Sequence, residues 1–199
     1  MTISMKSLLA AAVASLLATG AMAADGTINF KGEIVAASCG ISGGAGTGVT
    51  GEKGKQVIDV ELGKVSIDAL NNAAAGGIAG GTNINLNLDC GGTGTGLTHV
   101  QLKFDPASGS GFDNNTGLLK TTGTAKGVGI GLYKTDGTRI NLANSGDVFE
   151  TELVKTGTDP DFKYNANMNL RAGFVMSGKL ADVEAGTAEG TLPFTLTYR

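Results

Sequence analysis

The stretch Thr82–Cys90, TNINLNLDC, alternates without a break. Ile84, Leu86 and Leu88 fall on one side, and Asn83, Asn85 and Asn87 on the other. Successive side chains of a β-strand point to opposite faces, so this pattern buries one face and wets the other. It predicts a half-buried strand in a sheet that is packed on one side only.

The same period of two recurs in both directions along the chain. Upstream, QVIDVELGKVSI (Gln56–Ile67) sets Ile58, Val60 and Leu62 against Val57, Asp59 and Glu61. Downstream, HVQLKF places Val100, Leu102 and Phe104 on one face. GVGIGLYKTDGTRINL reads as a hairpin: Val128, Ile130 and Leu132 go out, Asp136-Gly137 turns, and Ile140 and Leu142 return. YNANMNLRAGFVM is a longer strand with Met168, Leu170, Ala172 and Phe174 aligned. The last is GTLPFTLTYR, with Leu192, Phe194, Leu196 and Tyr198 in register. Pro193 in this segment suits an edge or a strand start. A short helix is predicted in SIDALNNAAAG and nowhere else.

Several short strands with regular turn signals predict one all-β domain, a β-sandwich of immunoglobulin-like kind. Glycine is the compositional anomaly: 33 of 199 residues, more than twice the usual share of about 7%. No G-X-Y period accompanies it, so collagen is excluded. The Gly-rich stretches at 40–54, 76–81 and 91–96 read as loops. The formal net charge of −3 and the absence of a Lys/Arg cluster argue against nucleic-acid binding.

The first 23 residues read as a cleaved leader, not as fold. Lys6 is a short positive region, LLAAAVASLLA is an apolar core, and Ala21-Met22-Ala23 is a small-residue cleavage site. The apolar run is short for a membrane span, and no later segment is apolar enough to cross a bilayer. An exported product follows. In that setting the two cysteines, Cys39 and Cys90, read as a disulfide. Closing a loop of about 50 residues would contribute about 4 kcal/mol.

Catalytic motifs fail on their context. GISGG (Gly40–Gly44) matches G-x-S-x-G in letters, but AGTGVTG follows where a nucleophile elbow needs a helix. His99, the single histidine, opens a strand with nothing to tie it to Ser42. No phosphate-binding or dinucleotide loop has the right surroundings. DPDFKYN and DNNTG lack the spacing of a calcium loop. Two cysteines and one histidine cannot supply a four-ligand zinc site. The reading is non-enzymatic, with no cofactor and no metal.

One strand remains without a place. ADGTINFKGEIVAASC (Ala24–Cys39) carries Ile28, Phe30 and Ile34 on one face, with Gly32 on that face as well. Glycine inside a strand often marks a close approach by another group. A free strand with one apolar face, placed ahead of the first cysteine, needs an acceptor.

GTINFKGEIVAASC directly after a leader resembles the N-terminal extension of chaperone–usher pilus subunits, the type 1 fimbrial major-subunit family. The resemblance continues through VIDVELGKV, NINLNLDC with the second cysteine, Gly186, and the C-terminal FTLTYR with its penultimate Tyr198. It implies an immunoglobulin-like sandwich missing its last strand. The donor strand would be residues 24–38, through Ile28, Phe30, Gly32 and Ile34, with a pilin domain over 39–199. Leu192, Phe194, Leu196, Tyr198 and Arg199 would line the groove and meet the chaperone. The implied partners are other copies of the subunit, a periplasmic chaperone and an outer-membrane usher. There would be no direct membrane insertion, and the destination would be a fimbria at the cell surface. A minor adaptor subunit or a carbohydrate-binding adhesin of the same system is the alternative.

Overall fold

The computed structural model describes residues 39–73 and 77–199. Residues 24–38, which carry the expected donor strand with Ile28, Phe30, Gly32 and Ile34, lie outside the described residues.

Among the described residues the chain forms strands β1 (Gly40–Gly43), β2 (Thr47–Thr50), β3 (Val57–Val60), β4 (Ala79–Asp89), β5 (His99–Phe104), β6 (Leu119–Lys120), β7 (Val128–Lys134), β8 (Arg139–Ile140), β9 (Phe149–Glu152), β10 (Val154–Thr156), β11 (Lys163–Met176) and β12 (Phe194–Tyr198). One short helix, α1 (Ile67–Asn72), interrupts them; the Ser66 hydroxyl accepts from the Ala69 N–H and caps it.

Two sheets face each other. The larger runs β1-β4-β11-β7-β6, with β10 also on β11 and β8 also on β7. The smaller runs β12-β5-β9, and β2-β3 forms a separate ribbon. All pairings are antiparallel. Apolar faces of both sheets meet in one core: Ile84, Leu86 and Leu88 of β4, Met168 and Leu170 of β11, Ile130 and Leu132 of β7, against Val100 and Leu102 of β5. This is the aligned packing of an immunoglobulin-like sandwich.

The alternation in Thr82–Cys90 holds. Ile84, Leu86 and Leu88 are buried, and Asn83 and Asn87 are exposed. The hairpin also holds: Ile140 and Leu142 return to the core, and the Asp136 carboxylate accepts from the Thr138 N–H in the turn. In β11 the phase changes late. A register shift between Ala172 and Phe174 buries Val175 and leaves Phe174 only partly covered.

Three expectations change. Residues 40–54 are not simply a loop: GISG is strand β1, paired along β4 from Gly40↔Asp89 to Gly43↔Leu86, and TGVT is β2. Glycine serves the close approach there. A Cβ on Gly43 would lie 1.9 Å from the Thr47 carbonyl oxygen. Likewise, residues 79–81 belong to β4, and Gly91–Gly94 form a 3-10 turn. Finally, QVIDVELGKVSI is not one strand. Its regular part is Val57–Val60, and Ile67 already begins α1. Ile58, Val60 and Leu62 still pack on the core, so the apolar face outlasts the ladder.

Strands β9 and β10 were not predicted. Each offers only one large apolar residue, Phe149 and Val154, and the buried Leu153 sits between them. Residues 177–193 form no strand, yet bridge back at Glu184↔Lys126 and Glu189↔Thr122.

Candidate functional site: an open sheet edge

Strand β12 lies at one end of the smaller sheet. Its register on β5 runs from Phe194↔Phe104 to Tyr198↔Val100. Flanking bonds set the phase: Arg199 N–H donates to the His99 carbonyl at 3.0 Å, and Asp105 N–H donates to the Pro193 carbonyl at 2.8 Å. Antiparallel ladders bond every second pair, so Thr195 and Thr197 turn their backbone groups to β5. Phe194, Leu196 and Tyr198 turn theirs the other way. Among the described residues nothing pairs with that edge.

The side chains tell the same story. Val100 and Leu102 of β5 are 0% and 2% exposed. Phe194, Leu196 and Tyr198, which point to the same core, are only partly buried, as is Leu192 just before the strand. The core is thus covered over β5 and uncovered beside β12. Exposed backbone groups next to uncovered apolar side chains form a template for another strand.

Of the residues expected to line this site, Leu192 precedes the strand, Phe194, Leu196 and Tyr198 lie within it, and Arg199 follows it. Arg199 is exposed, and its guanidinium donates to the Gln101 amide oxygen at 3.4 Å. Tyr198 does more than line an edge. Its phenol oxygen accepts from the Cys39 backbone N–H at 3.0 Å. Burial raises the Tyr198 pKa above its ordinary value, and the bond from Cys39 partly opposes the rise. Cys39 is bonded to Cys90, with Cα atoms 4.0 Å apart. The two ends of the described domain therefore meet: the C-terminal strand is fastened at the residue where the N-terminal segment begins.

The Ser42 hydroxyl donates to the Asn87 carbonyl at 3.3 Å, and the His99 ring contacts the Thr98 hydroxyl at 2.9 Å. They stand on strands of different sheets.

Strand β1, which begins one residue after Cys39, is an edge of the larger sheet, and at Ile41 that edge is occupied. The Ile41 N–H donates to Gln56 Oε1 at 2.9 Å, and Gln56 Nε2 donates to the Ile41 carbonyl at 2.6 Å. Nothing in the residues themselves signals this clamp, because a glutamine just before a strand is unremarkable in composition.

The class of protein is thereby an all-β, immunoglobulin-like sandwich with an open edge along its C-terminal strand. The chain belongs to the Fimbrial protein family, which it matches over residues 28–199. It is 29% identical over 195 residues to a type-1 fimbrial protein subunit of Serratia marcescens, with 96% of each chain covered. It is 26% identical over 191 residues to the S-fimbrial adhesin protein SfaS of Escherichia coli O6:K15:H31 (strain 536 / UPEC), again with 96% of each covered. Among solved structures it is similar to the P pilus rod subunit PapA, at 20% identity and a TM-score of 0.47, covering 78% of this chain and all of that one.

Proposed function

We propose that this chain is a structural pilin subunit that polymerises by donor-strand exchange into a surface fimbria, the rod of a pilus supporting cell adhesion. The observation that carries the reading is the open edge of β12, with the backbone of Phe194, Leu196 and Tyr198 turned outward beside an uncovered core. Residues 1–23 are the cleaved leader, 24–38 the donor strand and 39–199 the acceptor domain. Ile28, Phe30 and Ile34 of one subunit would be buried beside β12 of the next, contributing about 1.5–3 kcal/mol each. Backbone pairing along the strand adds to this and fixes its register.

Before assembly the same edge needs a temporary strand. A periplasmic chaperone supplies it and holds the C-terminal carboxylate at Arg199. An outer-membrane usher is where the exchange takes place. The chain would be exported through the periplasm and end at the cell surface. The reading assigns it no enzymatic activity.

The test is to fuse residues 24–38 behind Arg199 through a short linker. The fused monomer should be far more stable than the unfused subunit and should not polymerise. Unchanged stability would overturn the proposal.

The likeness to an S-fimbrial adhesin protein favours a second reading, a minor adaptor or carbohydrate-binding subunit of the same kind of fibre. Subunit stoichiometry in purified fibres separates adaptor from rod. Saturable binding of the fused monomer to one glycan would favour the adhesin.

A further inference from the structure

We infer that Gln56 guards the β1 edge against strand addition: its amide occupies the outward backbone groups of Ile41, where an incoming strand would pair. This rests on the donor-strand reading and adds to it the reason that the β1 edge is not used.

A sandwich of two open sheets has edges at both ends, and each is a template for unwanted pairing. Here the edges at β1 and β12 are treated differently. On β1, Gly44 N–H donates to the Asn85 carbonyl at 2.8 Å, continuing the register Gly43↔Leu86. That phase turns Gly40 and Ser42 toward β4 and turns Ile41 and Gly43 outward. At Ile41 the Gln56 side chain presents one acceptor and one donor, at 2.9 and 2.6 Å. This is the pair of groups that a residue of a neighbouring strand would present. At Gly43 the Thr47 backbone lies too close for even a methyl group. Thr47 is itself fixed, because its hydroxyl accepts from the Asn85 N–H at 3.1 Å. A side-chain amide thus stands in for one residue of a strand, next to the point where the chain turns back on itself.

Among the described residues no such plug meets the outward backbone groups of Phe194, Leu196 or Tyr198. The second glutamine of the chain, Gln101, carries its side-chain amide near β12, but it faces Arg199 and Glu150 instead. The contrast lies in backbone hydrogen-bonding capacity and not in hydrophobicity, since Ile41 is partly buried much as the β12 residues are.

The experiment uses the chain with residues 24–38 fused behind Arg199, which fills the β12 edge. Gln56→Leu is compared with the unsubstituted fusion by sedimentation velocity and by amide hydrogen exchange at Ile41. The unsubstituted fusion should stay monomeric with Ile41 protected. Losing two hydrogen bonds should speed Ile41 exchange by about tenfold or more. Gln56→Leu should also form concentration-dependent oligomers. If Gln56→Leu does not fold, Gln56→Glu keeps the size and the acceptor for Ile41 N–H and opens only the carbonyl. It should then associate more than the unsubstituted fusion. A folded, strictly monomeric Gln56 variant with Ile41 exchange accelerated would overturn the inference, as would an unprotected Ile41 in the unsubstituted fusion. Polymerisation of the unsubstituted fusion would instead overturn the donor-strand reading, and Ile41 exchange would still decide the role of Gln56.

Discussion

The Tyr198 phenol oxygen accepts a hydrogen bond from the Cys39 backbone N–H across 3.0 Å, joining the penultimate residue to the first residue of the disulfide. Cys39 is 3% exposed, so water cannot easily replace that acceptor. Tyr198→Phe leaves a buried donor without a partner and should cost about 1–3 kcal/mol. Denaturant unfolding of the oxidised subunit measures it, and an unchanged midpoint would contradict it.

The same residue gives an alkaline signature. Its folded pKa is raised, chiefly by burial, so the folded state holds its proton at a pH where the unfolded chain releases it. The stabilising contribution is complete below the ordinary tyrosine value near 10 and is lost as pH rises through the raised value. Tyr133 is raised for the same reason and adds to the loss. Stability should therefore fall above about pH 10. Tyr198→Phe should shrink that fall without abolishing it.

Strand β12 allows a test by proline. Leu196 turns its N–H away from β5, whereas Thr197 turns its N–H toward Gln101. Proline removes one donor wherever it is placed. Leu196→Pro should keep the subunit folded and weaken strand addition. Thr197→Pro should remove a hydrogen bond of the β12–β5 ladder and destabilise the domain. Circular dichroism melting, paired with an assembly assay, distinguishes the two. Equal effects on folding would mean that the phase of the edge is wrong.

The legibility of this fold was uneven for physical reasons. Thr82–Cys90 and His99–Phe104 are strands whose one face is fully buried, and burial writes a period of two into the residues. Gly40–Gly43 has only Ile41 and Ser42 between two glycines, too little to write a period of two, so its pairing with β4 is invisible until the partner is in place. The open edge was legible only through its consequence, an apolar strand, FTLTY, ending the chain. Which way its backbone points depends on bonds to His99 and Asp105, residues far away in sequence. The Gln56 clamp belongs to the same category. It is a tertiary fact about Ile41, and neither residue signals it alone.

Gly186 was singled out by its place in the C-terminal pattern, and the fold supplies a reason for it. A Cβ there would stand 2.4 Å from the Ala125 nitrogen and 2.4 Å from the Thr124 hydroxyl. Those residues pair with Thr187, whose carbonyl accepts from Ala125 N–H at 2.9 Å. Gly186→Ala must push two backbone segments apart, and overpacking of this kind costs about 1–3 kcal/mol. The loss should be visible in thermal melts of the isolated, strand-complemented subunit. Gly92→Ala, at a glycine without a positive φ and with nothing near its Cβ position, provides the comparison for crowding.

The last prediction concerns the donor strand itself. Ile28, Phe30 and Ile34 share a face with Gly32, and on the proposed reading that face enters the neighbour beside β12. Gly32 then marks a shallow point where a side chain would clash. Gly32→Leu should leave the subunit folded and able to bind its chaperone, because the chaperone strand and not residue 32 fills the edge at that stage. It should stop incorporation into fibres, because a leucine must then enter the shallow point. Fibre yield on the cell surface, measured with the periplasmic level of the same subunit, reads both steps. Normal fibres from Gly32→Leu would mean that the glycine does not face the groove. Loss of the periplasmic subunit would mean that residue 32 serves the fold of its own chain.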